Sequence, residues 1–176
     1  IDGIISSLIG SSICSPQKLH FGIVGDLSFF YDMNSIGNRH ITNNLRILVI
    51  NNGHGQEFEM YNHMGAFLGN DVNDFVAAAG HFGNKSKKLL MHYAQDLGFE
   101  YLSASNKEEF ELLYKNFVTP NNKEKPILFE IFTTNKDENE ALRISRNIDV
   151  NNQELTKKII KSSLKKTFSL TNKLFK

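Results

Sequence analysis

Apolar and polar positions fall into blocks along the chain, some short runs and some longer stripes. Residues 21–24, 47–50, 99–102 and 127–132 are short runs of β-branched, aliphatic and aromatic side chains, the pattern of buried strands. The last is apolar enough to be a central strand. Phe30, Met33 and Ile36 recur at helical spacing and predict a helix over residues 32–41. Residues 4–13 mix apolar and small side chains and predict a buried helix, with Gly10 letting it approach a sheet. Phe110, Leu113, Tyr114 and Phe117 line one face of a helix over residues 106–118, with Lys107, Glu108 and Glu111 outward. Residues 93–98 read as a helix closed by Gly98, and residues 137–146 as one that begins with carboxylates and ends with arginines. Strands alternating with helices argue for an α/β fold with a parallel sheet.

In such sheets ligands sit beyond the carboxyl ends of the strands. The first strand ends at Gly25-Asp26-Leu27-Ser28, and the second at Asn51-Asn52-Gly53-His54-Gly55. The earlier pair Asn43-Asn44 precedes its strand and reads as a helix stop. If the first two strands are neighbours, Asp26 and Asn52 face one crevice. Mg²⁺ takes hard oxygen ligands, often one or two protein groups plus phosphate oxygens. Asp26 offers a carboxylate, Asn52 an amide oxygen, and the glycine-flanked turn a main-chain carbonyl. Gly25 lets backbone approach a ligand, and the amides of Leu27 and Ser28 would face a diphosphate oxygen. The Ser28 hydroxyl reads either as a phosphate donor or as a helix N-cap. The residues alone therefore suggest a metal–diphosphate site.

Gly25-Asp26 followed by Asn51-Asn52 resembles the diphosphate-binding signature of thiamine diphosphate-dependent enzymes. The wording here, Gly-Asp-Leu-Ser-Phe and then Asn-Asn-Gly-His-Gly-Gln-Glu-Phe, is most similar to the menaquinone-pathway synthases, which add a succinyl semialdehyde unit to isochorismate. Ile1-Asp2-Gly3, Pro126 with the strand after it, and Asn139-Glu140-Ala141-Leu142 extend the likeness over residues 1–148. The resemblance implies a three-layer sandwich, a central mostly parallel sheet flanked by helices. It implies thiamine diphosphate and Mg²⁺ as cofactors, with Asp26, Asn52 and the His54 carbonyl on the metal. Gly25, Leu27, Ser28, Gly55 and Gln56 would complete the cofactor site, and Glu57, Phe58 and Tyr61 the substrate pocket. The sequence departs from the synthases at Glu57, where they carry an apolar residue; a first-turn helix carboxylate is the other reading of Glu57. The His54 imidazole reads as a solvated loop histidine. The activating glutamate of the family lies in a preceding domain, so no catalytic residue is assigned in this chain. The first residue is Ile1, and the resemblance implies two domains ahead of it and a homodimer or homotetramer. The piece alone is expected to bind cofactor weakly and to turn nothing over. Substrates would be a 2-oxo acid and an acceptor, in the cytoplasm. An acetolactate synthase-like enzyme or a 2-oxo acid decarboxylase is the alternative. A non-catalytic nucleotide-binding or interaction module is the contrasting class. No Gly-x-Gly-x-x-Gly turn and no Gly-Lys-Ser/Thr loop occurs in the sequence, which argues against dinucleotides and nucleoside triphosphatases.

Composition adds bounds. The chain has 176 residues, 40% of them hydrophobic, with a formal net charge of +1, which suits a globular domain and gives no reason to expect nucleic acid. The single cysteine, Cys14, rules out an internal disulfide framework and reads as a small buried residue of the first helix. Residues 62–85 are expected to be an insertion over the site mouth. It holds His63 and His81, which lack metal-motif spacing, and Met64 and Phe67, which with Met60 read as core or interface. Residues 149–176 form a lysine-rich amphipathic tail. Packing on a neighbouring domain or subunit is the preferred reading over contact with an anionic membrane.

Overall fold

The computed structural model describes residues 3–71, 85–120 and 124–148. The chain divides into two compact units, Ile1–Asn135 and Lys136–Lys176. The first carries α1 (Ile4–Cys14), β1 (His20–Gly25), α2 (Asp26–Tyr31), β2 (Leu45–Asn51), α3 (Leu89–Asp96), β3 (Glu100–Ala104), α4 (Lys107–Val118) and β4 (Ile127–Phe132). Short 3₁₀ turns occupy Met33–Gly37, Gln56–Glu59 and Met64–Asp71. α5 (Asn135–Ser145) begins on the last residue of the first unit and runs into the second, with Asp137 and Glu138 in its first turn and Arg143 in its last; residues 136–148 are the described part of the second unit. The expected tail over 149–176, much of the expected insertion over 62–85, and His81 lie outside the described residues.

The four strands form one sheet in the order β1-β2-β4-β3, every pairing parallel. β2 and β4 are central, which explains why they read as nearly unbroken apolar runs. Successive side chains serve opposite faces. Leu45, Ile47 and Val49 of β2 and Leu128 of β4 meet Ile5 and Ile9 of α1, Phe29 of α2, and Leu90 and Ala94 of α3. Ile127 and Phe129 of β4 join the other core with Phe117 of α4, against which Phe110, Leu113 and Tyr114 pack. The Phe110 and Phe129 rings stack at 5.7 Å. One core on each face makes the three-layer α/β sandwich that the sequence implied.

Local chemistry sets the element ends. Gly98 adopts φ 85° after α3. Its N–H reaches the Gln95 carbonyl and that of Phe99 the Ala94 carbonyl, a Schellman closure that delivers the chain into β3. Asn106 caps α4 by accepting from the Glu109 N–H at 2.9 Å.

Several expectations are corrected. The close approach of α1 to the sheet is made at Gly22 of β1, not Gly10: a Cβ on Gly22 would fall 2.5 Å from Leu8 Cδ2, whereas Gly10 faces open space. Cys14 is exposed, because it ends α1 where the helix leaves the sheet. The helix after β1 starts at Asp26 rather than at residue 32, and Met33–Gly37 is a separate 3₁₀ turn. Asn44 stops no helix. It is buried, and its Nδ2 donates to the Ser12 and Lys18 carbonyls, pinning the α1–β1 connection to the start of β2. Met64 and Phe67 are exposed in this chain, so they are not core.

Candidate functional site

Parallel register places Gly25 opposite Ile50, and Asn51 opposite Phe132. The carboxyl ends of β1, β2 and β4 therefore open at one level. Gly25 is extended (φ −72°, ψ 154°) and acts as the N-cap of α2. Its dihedrals suit any residue, and a Cβ there would meet no protein atom within 4 Å. Asp26 is the first residue of α2 and is only 1% exposed. Its Oδ2 accepts a hydrogen bond from the Gly53 N–H at 3.0 Å. Gly53 has φ 77°, a left-handed conformation that favours glycine. The same N–H lies 3.2 Å from Asn51 Oδ1, and Asn52 Oδ1 accepts from the His54 N–H at 2.8 Å, an Asx-type turn. The two loops predicted to share a crevice are thus bonded to each other.

Beneath them lies a residue that sequence reasoning missed. Glu130, on the central strand β4, is 1% exposed. Its Oε1 accepts from Asn51 Nδ2 at 2.6 Å and its Oε2 from the Tyr101 hydroxyl at 2.5 Å. Burial holds the Glu130 carboxyl above the usual carboxylate range. Those two hydrogen bonds pull the other way, and the nearby Asp26 charge adds to the rise. Burial and the bond to Glu130 likewise push the Tyr101 hydroxyl well up. Glu130, bonded to Asn51 and Tyr101, ties β2, β4 and β3 together. The available signal was an acid standing inside an otherwise apolar run, since a buried carboxylate needs partners.

The remaining predicted residues divide. Leu27 and Ser28 are half-buried in the first turn of α2, and Gly55 is half-buried in the loop. Gln56 is 6% exposed. Glu57 and Tyr61 are exposed, and the side chain of Phe58 is outside those described. His54 is half-buried, and its Nδ1 is sealed from solvent without a hydrogen-bond partner. His63 Nδ1 accepts from the Gly65 N–H at 3.0 Å, a local loop contact. Among the described residues, no three His, Cys, Asp or Glu side chains gather as a metal cluster. The donors at the crevice are one carboxylate, one amide and main-chain carbonyls, a hard-oxygen set suited to Mg²⁺. No described helix is long and apolar enough to cross a membrane.

A parallel sheet covered by helices on both faces, with polar loops at the carboxyl ends of its strands, puts the chain in the three-layer α/β class, consistent with a thiamine diphosphate-binding fold. Its sequence relatives narrow the class. The chain is 36% identical over 138 residues to the 2-succinyl-5-enolpyruvyl-6-hydroxy-3-cyclohexene-1-carboxylate synthase of Bacteroides fragilis, covering 78% of this chain and 23% of that protein. It is 34% identical over 143 residues to the synthase of the same name from Phocaeicola vulgatus, covering 81% and 24%. With that of Christiangramia forsetii the figures are 33% over 142 residues, 81% and 23%. Over this stretch the chain is a relative of the menaquinone-pathway synthases, the thiamine diphosphate-dependent group that its motifs resemble. It spans about a quarter of the length of these curated relatives. No family model matches the chain.

Proposed function

We infer that the chain is the diphosphate- and Mg²⁺-binding domain of a thiamine diphosphate-dependent 2-oxo acid decarboxylase and carboligase, of the menaquinone-synthase kind. The observation that carries this reading is the Asp26–Gly53 hydrogen bond, which joins a buried carboxylate to the glycine turn of the neighbouring strand. Asp26, Asn52 and the His54 carbonyl would hold the metal. The Leu27 and Ser28 amides would face phosphate oxygens, and open space at Gly25 leaves room for them. The fit rests on the hard-oxygen donor set and on the buried, unpartnered His54 Nδ1. When bound, the cofactor supplies the means to stabilise carbanion character on a 2-oxo acid carbon. This chain's residues bind and orient it. Glu130, through Asn51, keeps the 51–54 turn against Asp26. The synthase relatives favour their own reaction over that of an acetolactate synthase-like enzyme. The whole enzyme would carry further domains and work as a homodimer or homotetramer in the cytoplasm.

Calorimetry of the purified chain with thiamine diphosphate and Mg²⁺, against NAD and ATP, tests the reading. Binding of the first alone is expected, and Asp26→Ala should abolish it while circular dichroism stays unchanged. Equal cofactor affinity in Asp26→Ala would overturn the assignment. Decarboxylation of a 2-oxo acid by the chain alone would overturn the division of labour between domains.

A further inference from the structure

Five buried side-chain atoms among the described residues have no hydrogen-bond partner, and four of them fall within residues 54–59: His54 Nδ1, both amide atoms of Gln56, and Glu59 Oε1. Native proteins pair almost all such atoms. Gln56 is 6% exposed, so its amide has left water without replacing its bonds. Gln56 and Glu59 open and close one 3₁₀ turn. Residues three apart eclipse one another on that helix, so both side chains leave the same face. The other Glu59 oxygen is not idle: Asn135 Nδ2, in the same unit, donates to it. Glu59 is therefore held by one oxygen and offers the other.

We propose that Gln56 and Glu59 form a subsite for a hydroxyl- or amino-bearing organic group beside the diphosphate position. It rests on the diphosphate reading for what lies next to it. A carboxylate oxygen and an amide oxygen both require hydrogens from the ligand, while the Gln56 Nε2 offers one in return. Residues 52–63 contain Glu57 and Glu59 and neither lysine nor arginine, so a carboxylate group is disfavoured there by charge. Lys87 Nζ lies 5.7 Å from the Phe132 ring centroid at the end of β4. It stands over that ring rather than on the turn. The subsite selects for donors.

The test uses the full chain, with erythritol as a hydroxyl probe and malonate as a carboxylate probe. A buried amide that awaits a ligand makes the free protein less stable than an apolar residue of its shape would. Gln56→Met should therefore raise the melting temperature of the free chain by about 2–6 °C. A lowered melting temperature would mean that the amide holds the fold together, and would overturn the proposal. In nitrogen–proton correlation spectra, erythritol should move the Gln56 side-chain amide and the 54–59 backbone amides to saturation. Malonate should not, and Gln56→Met should weaken the erythritol response at least fivefold. No erythritol response, or a stronger one to malonate, would overturn the proposal. Titration with Mg²⁺ and inorganic pyrophosphate reports on the neighbouring site separately. A chain that ignores pyrophosphate yet responds to erythritol would sink the diphosphate reading and sustain this one.

Discussion

Asp32 shows how one side chain can supply what a helix end lacks. The N-cap of α1 is Gly3, which has no side chain to offer the first-turn amides. Asp32 substitutes from another part of the chain. Its Oδ2 accepts from the Ser6 N–H at 2.7 Å, and its Oδ1 from the Ser6 and Ser35 hydroxyls, each at 2.6 Å. Burial pushes its carboxyl up, but the Ser35 and Ser6 hydrogen bonds together bring it below the ordinary value of 3.8. A carboxylate lowered in the folded state stabilises it above the unfolded pKa and loses that advantage as pH falls through the folded one. Asp32→Ala should cost about 1–2 kcal/mol at neutral pH. Urea melts should show the gap between the two proteins closing below pH 3.8. A gap that does not change with pH would show that ionisation is irrelevant there.

At the scale of elements, the Gly98 closure sets where α3 stops and β3 starts. Its φ of 85° is one that a Cβ resists, while the space around it is open. Gly98→Ala should therefore cost about 1–2 kcal/mol through backbone strain alone, read as a lower denaturant midpoint at an unchanged slope. This ending was legible in the sequence, as were all four strands and the inward face of α4, because each repeats a pattern that burial enforces. The start of α2 was not. Gly25-Asp26-Leu27-Ser28 reads as a polar break, yet Asp26 buries its charge and begins the helix at once, paired with Gly53 some distance along the chain. Local pattern carries no trace of that partner. The same holds for Glu130, whose neighbours Asn51 and Tyr101 come from two other strands, and for Glu59, which depends on Asn135. The loop residues proposed to bear chemistry were read from a motif, and their supports were not legible.

Across the Ile1–Asn135 unit, cover over the sheet is uneven. β1 is an edge strand, and two of its side chains on one face, Phe21 and Ile23, remain exposed, Ile23 at 70%. Phe117 of α4 reaches Phe21 edge-on at 5.7 Å, but no described helix covers Ile23. Apolar surface on a bare strand edge invites association. The chain by itself should self-associate at high concentration, and Ile23→Lys should shift sedimentation toward the monomer with little change in melting temperature. Unaltered sedimentation would show that this edge is inert.

Asp26 and Glu130 are both inward-facing acids, each 1% exposed, and the charge on one raises the pKa of the other. That repulsion makes it costly to keep both acids charged, and a cation held on Asp26, as proposed above, would relieve it. Its arrival would tighten the very loops that receive it. If the site takes a metal as proposed, folding and loading would be two faces of a single equilibrium, and the polypeptide would reach its firmest shape in company.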